Sequence, residues 1–208
     1  MPMHDVKQLE MTQRNTSIHV PFSAFSNYTM WTTLFPDDVE RDRMMPVLWQ
    51  GVVAYCQAFG RVDTIGDIAG VAAWAKPGYA HLTLWRHLRS GFVLFRAVLM
   101  LSAKSRALFL RAMSQTDRAH ARWIPSPHWY LWALGVDPNR QGSGIGSRLL
   151  MSGVLQAQQA GRPCFLETNT EANVDFYQKR GFEVLHEERF ANVDLRQWLM
   201  VRPVSRSV

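Results

Sequence analysis

Residues Trp129–Val136, WYLWALGV, run through Asp137-Pro138-Asn139 and Arg140 into Gln141–Gly146, QGSGIG, and on into SRLLMSGVL. The continuous apolar run fits a central strand buried on both faces. Gly135 within it points to a bulge or a close backbone approach. Asp137-Pro138-Asn139 carries turn chemistry. Beyond the glycines, Ile145, Leu149, Leu150 and Val154 share one side of a helix that Gly161 and Pro163 end. A strand that passes through a glycine-rich turn into a helix builds an anion site. The first-turn N–H groups lack helical partners and lie at the positive end of the helix dipole. Gly142, Gly144 and Gly146 let the backbone approach phosphates without a Cβ, and Arg140 and Arg148 can add charge. The loop therefore reads as a seat for a phosphate-bearing ligand, with a plain tight turn as the alternative.

Two familiar phosphate loops fit poorly. A P-loop needs a Lys after its last glycine, and none follows here. In a dinucleotide loop, Gly142 and Gly144 fit GxGxxG, but Ser147 stands where the third Gly or Ala belongs. Glu167 lies about where a ribose-binding acid would. Yet only the 62 residues 147–208 follow the loop, too few for the further βαβ units a dinucleotide requires.

Outward from this stretch, the order is strand, loop, helix, strand, helix, strand, strand. Cys164–Thr168 reads as a short strand, Asn173–Arg180 as a helix closed by Gly181, and Phe182–Leu185 and Trp198–Val201 as final strands. Upstream, residues 16–35 are aromatic-rich and suit a helix and loop. Pro36-Asp37-Asp38 begins a turn or helix, and Pro46 fits a first helical turn. Leu48, Trp49, Val52, Val53, Cys56 and Phe59 recur at helical spacing until Gly60. Arg61–Ile65 and Ile68–Ala75 read as a hairpin around Gly66-Asp67. Residues 80–122 are mostly helical by pattern, and Pro125 and Pro127 break them. The class is α/β with a mixed sheet.

Composition narrows the function. Of 208 residues, 47% are hydrophobic and 12% aromatic, which excludes a disordered chain and supplies core for one domain. No apolar run reaches the roughly 18 residues of a membrane span, and the N-terminus carries no apolar leader, so a cytoplasmic protein is expected. Cys56 and Cys164 stand far apart without a CxxC, so neither a disulfide framework nor a metal is expected. The net charge is +6, unevenly placed. Between Lys76 and Arg122, nine basic residues face one acid, Asp117, for a local +8. Arg111, Arg118 and Arg122 share a helix face, readable as a solvated face or an anion-facing rim.

The sequence resembles the GNAT superfamily of acyl-CoA N-acyltransferases. Gln141–Gly146 matches that family's loop pattern Q/R-x-x-G-x-G/A in full, and Phe176–Phe182, FYQKRGF, matches its FYxxxGF helix about 30 residues on. Within the family, VDPNRQGSGIGSRLL, FLETNTEANVDFYQKRGFEV and the ending around Trp198–Arg202 look most like puromycin N-acetyltransferase-like proteins. The likeness is strong over residues 129–202 and weaker before them. One departure from the broad pattern favours that subgroup: Thr170 replaces the usual Asn, and Asn173 takes the small-residue place.

The resemblance implies a GNAT-like fold, with a mostly antiparallel sheet flanked by helices and splayed at its central strand. It implies one domain over 1–208, with an acceptor-side half at 1–128 and an acetyl-CoA-binding, catalytic half at 129–202. It implies acetyl-CoA as donor and a small-molecule amine as acceptor, joined in a ternary complex. Gln141, Gly142, Ser143, Gly144, Ile145, Gly146 and Ser147 would hold the pyrophosphate. Leu134, Gly135 and Val136 would pair with the pantetheine arm as an added strand and polarise the thioester carbonyl. Asn173 would contact that arm.

An alkyl amine with a pKa of ~10.4 is only about one part in a thousand free base at pH 7, so a base or water chain is needed. Glu167 is the first candidate, with a structural carboxylate paired to an arginine as its alternative; His128 is the second. Tyr177 takes the family's proton-donor position beside the leaving sulfur. Tyr28 and Trp31, with aromatics near Trp74, would wall an apolar or aromatic amine. No nucleic acid or membrane partner is expected, and the chain is taken as a monomer or homodimer. Three rivals remain: a non-catalytic acyl-CoA sensor of the same fold, a nucleic-acid binder using residues 76–122, and a dinucleotide oxidoreductase.

Overall fold

The computed structural model describes residues 5–124, 127–191 and 193–204, so Pro125 lies outside the described residues. Short helices α1 (Arg14–Ser17), α2 (His19–Phe25) and α3 (Thr29–Leu34) follow strand β1 (Val6–Gln8). Helix α4 (Asp38–Phe59) then runs for 22 residues. Asp37 starts it by accepting from the Glu40 N–H at 2.7 Å. The cap sits well upstream of Pro46, so Pro46 lies inside the helix rather than in its first turn.

Strands β2 (Gly60–Ile65) and β3 (Gly70–Ala75) form the expected hairpin. Its loop is longer than Gly66-Asp67: Ile68 takes φ 59° and tucks into the core, and the second strand begins only at Gly70. Helices α5 (Leu84–Arg89), α6 (Val93–Leu99) and α7 (Ala103–Trp123) fill the basic segment. Strand β4 (Trp129–Val136), helix α8 (Ile145–Gln159), strand β5 (Cys164–Thr168), helix α9 (Glu171–Gln178) and strands β6 (Glu183–Arg189) and β7 (Arg196–Arg202) complete the chain.

The seven-stranded sheet has the order β1-β2-β3-β4-β5-β7-β6 and is antiparallel except between β4 and β5. One core layer packs α4, α2 and α6 on one face, and a second packs α8 and α9 on the other. The strand buried on both faces is β3, not β4: all six residues of GVAAWA are buried. Helix α8 crosses β3 closely. Gly70 lies beneath Leu149 and Ile145, and Gly153 of α8 lies against the Trp74 indole, where a Cβ would stand 2.2 Å from it.

Along β4, buried and half-buried residues alternate. Its bulge falls at Trp132 rather than Gly135, because Ala73 pairs with Ala133 and Trp74 with Leu131. The extra residue flips the side-chain alternation: Trp132 and Ala133 both pack toward α4, while Leu134 and Val136 turn toward α8. Gly135 is instead the close approach, with Pro21, Ala24 and Phe25 of α2 lying over it.

The β4–β5 pairing lasts only for Trp129 with Cys164 and Tyr130 with Phe165. Beyond Tyr130 the strands diverge, while β5 stays paired to β7 through Thr168. This divergence is the splay expected of the central strand, and it opens the sheet where β4 runs into the glycine loop.

Candidate active site

The glycine loop is shaped by backbone conformation. Gly142 and Gly144 take φ 77° and 81°, and Gly144 is the N-cap residue of α8. Glycine reaches this left-handed region without the Cβ penalty. A Cβ at either position would meet nothing within 4 Å, so the loop's outer side is open. Among the described residues, no protein acceptor takes the N–H groups of Gly142 to Ser147. The Gln141 side chain ties the loop back to the Val136 carbonyl at 3.3 Å. Ser147 accepts from Arg180 Nε at 2.9 Å, and the same guanidinium stacks on Phe176 at 3.6 Å. A positive charge therefore lies fixed beside the first turn of α8.

A cavity of about 1060 Å³ starts at this loop, follows the β4–β5 gap and widens into an aromatic chamber. Its loop end is walled by Gly142, Gly144, Gly146, Asn173, Phe176 and Arg180. Its middle holds Leu134, Glu167, Thr168, Tyr177 and Tyr28. Its far end is lined by Trp31, Trp49, Leu94, Phe109 and Met113. The half-buried residues of β4, Tyr130, Trp132, Leu134 and Val136, thus all border the cavity.

Where the strands part, the polar groups are tied together. The Tyr28 hydroxyl accepts from the Asn169 N–H at 2.8 Å and lies 3.2 Å from Thr168 Oγ1, which accepts from Asn173 Nδ2 at 3.0 Å. Burial raises the Tyr28 phenol above the ordinary tyrosine value, against these hydrogen bonds. Tyr177, on α9, lines the cavity close by. Burial pushes its phenol well above the ordinary value, and Tyr28 pushes it further.

Glu167 projects from β5 with its side chain nearly buried. Its Oε1 lies 3.7 Å from His120 Nδ1 and makes no hydrogen bond. A buried carboxylate oxygen without a donor is costly, and this one borders the cavity. Burial first, and the neighbouring Glu167 carboxylate next, hold the Tyr130 phenol well above its ordinary range. His128 stands behind His120, with the two Nε2 atoms 2.9 Å apart.

The structure therefore brings together most of the residues singled out from the sequence. Tyr177, Glu167, Tyr28, Trp31, Asn173, Leu134, Val136, Gln141, Gly142, Gly144, Ile145, Gly146 and Ser147 all line this cavity. Gly135 faces α2 instead, and Ser143 turns its hydroxyl to the Arg140 carbonyl at 2.6 Å. His128 lies behind the wall rather than on it. Trp74 is fully buried under α8, so no acceptor chamber forms near it. Sequence reasoning missed Arg180, although it sits inside FYQKRGF. It also missed His120, Thr168 and Asp117, which carry no local motif. Among the described residues, no group of three or more His, Cys, Asp or Glu side chains is placed to hold a metal ion. No helix among them is long and apolar enough to cross a membrane.

Comparison with known proteins agrees with this geometry. Residues 107–184 match the model of the acetyltransferase (GNAT) domain family. An uncharacterized N-acetyltransferase of Schizosaccharomyces pombe is 28% identical over 144 residues, which cover 67% of this chain and 58% of that protein. The match thus spans little more than half of the relative's length. A Corynebacterium glutamicum structure, described as histone acetyltransferase HPA2 and related acetyltransferase, superposes with a TM-score of 0.68 at 21% identity, covering 98% of each chain. Arylalkylamine N-acetyltransferase 2 from Aedes aegypti superposes with a TM-score of 0.62 at 11% identity, covering 96% of this chain and 98% of that one. The fold is that of the GNAT N-acyltransferases.

Proposed function

We propose that the protein is an acetyl-CoA-dependent N-acetyltransferase that acetylates a small amine with an apolar or aromatic body, by direct attack in a ternary complex. One observation carries this reading. A single cavity links the unpartnered amides of the α8 first turn, through the β4–β5 gap, to Tyr177 and Glu167. The amides from Gly142 to Ser147 and the α8 dipole suit a diphosphate. Arg180 supplies fixed charge beside them. The edge of β4 that leaves β5 offers backbone groups to an extended amide-bearing arm, and its N–H groups face developing charge on a thioester oxygen.

The acceptor enters from the aromatic end. Its ammonium must lose a proton before attack, and of the two carboxylates bordering the cavity, Asp117 and Glu167, it is Glu167 on β5 that we assign to take it. His120 and Tyr130 stand beside that carboxylate. As the nitrogen bonds to the carbonyl carbon and the C–S bond breaks, Tyr177 donates a hydrogen bond to the leaving sulfur, and the surplus proton of the acylated nitrogen passes to the departing thiolate, so that amide and free thiol leave. An ordinary phenol exceeds a thiol by about 1.5 pKa units, so full transfer is already uphill by about 2 kcal/mol. The raised Tyr177 value makes it steeper. Tyr177 therefore stabilises sulfur charge as a neutral donor.

Trp31, Trp49 and Phe109 around the far chamber support an aromatic or alkyl acceptor, and so does the likeness to an arylalkylamine acetyltransferase. The motif likeness to puromycin N-acetyltransferase-like proteins extends this to larger amines. The test is a panel of arylalkyl, alkyl and polyamine acceptors, reading free thiol release from acetyl-CoA. Release with an aromatic or alkyl amine is expected. Tight acetyl-CoA binding with no thiol release from any amine would instead identify a sensor.

A further inference from the structure

The cations of the basic segment, which the chemistry above does not use, stand among exposed side chains of unusual composition. Helices α5 and α6 are short, and α6 seats on α4 by placing Leu94 against Gly51. Away from that seat the two helices are exposed yet apolar: Leu84 is 73% exposed, Trp85 68%, Leu88 49%, Phe95 49% and Leu99 55%, joined by Leu110 of α7 at 52%. Leu84 and Leu88 lie one helical turn apart, as do Phe95 and Leu99, so each pair makes a stripe. Leu82, Phe95, Leu99, Arg106 and Leu110 border one cavity, which brings α6, α7 and the segment leading into α5 to a common mouth, while Trp85 and Arg89 of α5 border a second hollow with Lys76 and Arg86. Large apolar patches rimmed by polar residues mark interaction surfaces.

The rim decides the partner. Arg89, Arg96, Lys104, Arg106 and Arg111 interleave with the apolar residues, and among the described residues none of them makes an ion pair. Interfacial elements of this kind set leucine and tryptophan into the headgroup boundary while basic side chains meet anionic lipid. A nucleic acid would use the cations but leave the leucines in water. We propose that the α5–α6 face, with the start of α7, docks on the surface of an anionic lipid bilayer, with the cavity mouth turned toward it. This revises the sequence expectation that no membrane is involved. The docking is independent of acetyl transfer, and its test needs neither acetyl-CoA nor an amine.

The experiment is co-sedimentation of the full chain with phosphatidylcholine vesicles, with and without phosphatidylserine, at low and high salt. Binding is expected only to the anionic vesicles, weakening as salt rises. Each basic residue at an anionic leaflet is worth about fivefold in partitioning, so Arg89→Glu/Arg96→Glu/Lys104→Glu should weaken binding at least 100-fold. Trp85→Ala/Leu88→Ser should weaken it about tenfold or more, through lost apolar contact. Unchanged circular dichroism and thermal midpoint establish that these surface variants are folded. No vesicle binding, or equal binding to neutral vesicles, would overturn the proposal. So would duplex DNA binding abolished by the charge variant without any vesicle binding, or a concentration-dependent dimer lost in the Trp85 variant.

Discussion

His120 Nε2 lies 2.9 Å from His128 Nε2, and on its other side His120 Nδ1 lies 3.7 Å from Glu167 Oε1. The two bases weighed from the sequence are thus the ends of one buried arrangement with His120 between them. Two facing ring nitrogens require one to donate and the other to accept. If His120 turns its Nδ1 proton toward Glu167, its Nε2 accepts and His128 donates. The imidazole pair then lies behind the Glu167 carboxyl at the cavity wall, and under the proposed mechanism His128 would act through His120 rather than on substrate.

Glu167→Gln is therefore expected to lower kcat by about 10²-fold or more, the usual worth of a positioned base, with little change in acetyl-CoA affinity. His120→Ala should lower kcat less and leave both KM values near wild type. The double variant should be no slower than Glu167→Gln alone, because the two residues act as a unit. Additive losses in steady-state thiol release would show that His120 does not work through Glu167.

Tyr177→Phe should reduce kcat by about 10²-fold while the acetyl-CoA Kd from calorimetry stays within about twofold. The pH profile carries the sign of the shift. In the proposed mechanism Tyr177 acts as a neutral donor, and its raised pKa favours the neutral form. Its donation therefore persists through pH ~10, where an ordinary phenol would be half ionised. A basic limb with a midpoint below that pH, abolished in Tyr177→Phe, would contradict this role.

Gly144→Val tests the loop. A side chain finds open space there, but φ 81° is unfavourable for a β-branched residue, by about 1–2 kcal/mol. The chain should fold with a modestly lower Tm and bind acetyl-CoA at least tenfold more weakly. Gly153→Ala tests packing instead. Its Cβ would fall on the Trp74 indole, and overpacking of this kind costs about 1–3 kcal/mol. Thermal unfolding should show that loss with little effect on acetyl-CoA affinity once folded.

What the sequence disclosed was local. QGSGIG and FYQKRGF each fold on their own neighbours, so the loop, the helix it opens and Tyr177 were legible. Which strand is covered on both faces was not. WYLWALGV and GVAAWA are both apolar, and only the crossing of α8 over Gly70 and Trp74, with α4 packed in the layer of Val71, Ala73 and Ala75, decides that β3 is the enclosed one. The bulge at Trp132 is a property of pairing with β3, invisible in β4 alone. His120, on α7, meets Glu167 of β5 through tertiary packing, and no spacing announces it. Pro46 misled because its favoured place is a first turn, whereas the Asp37 cap set the start of α4 earlier.

Direct transfer makes a last prediction about the thiols. An acyl-enzyme route would need a cysteine thiolate in reach of acetyl-CoA. Burial pushes the Cys164 thiol up to about 12, against a weaker opposing pull from Arg202, and burial alone pushes Cys56 higher still. At pH 8 a thiol of that strength is about one part in 10⁴ thiolate. Both side chains are buried, and neither lines the cavity. Native protein should resist iodoacetamide at pH 8 and label at both positions only in denaturant. Mass spectrometry after mixing with acetyl-CoA should find no added acetyl group on either cysteine, and Cys164→Ser should retain kcat. A quenched, acetylated Cys164 peptide would replace the ternary complex with a two-step mechanism.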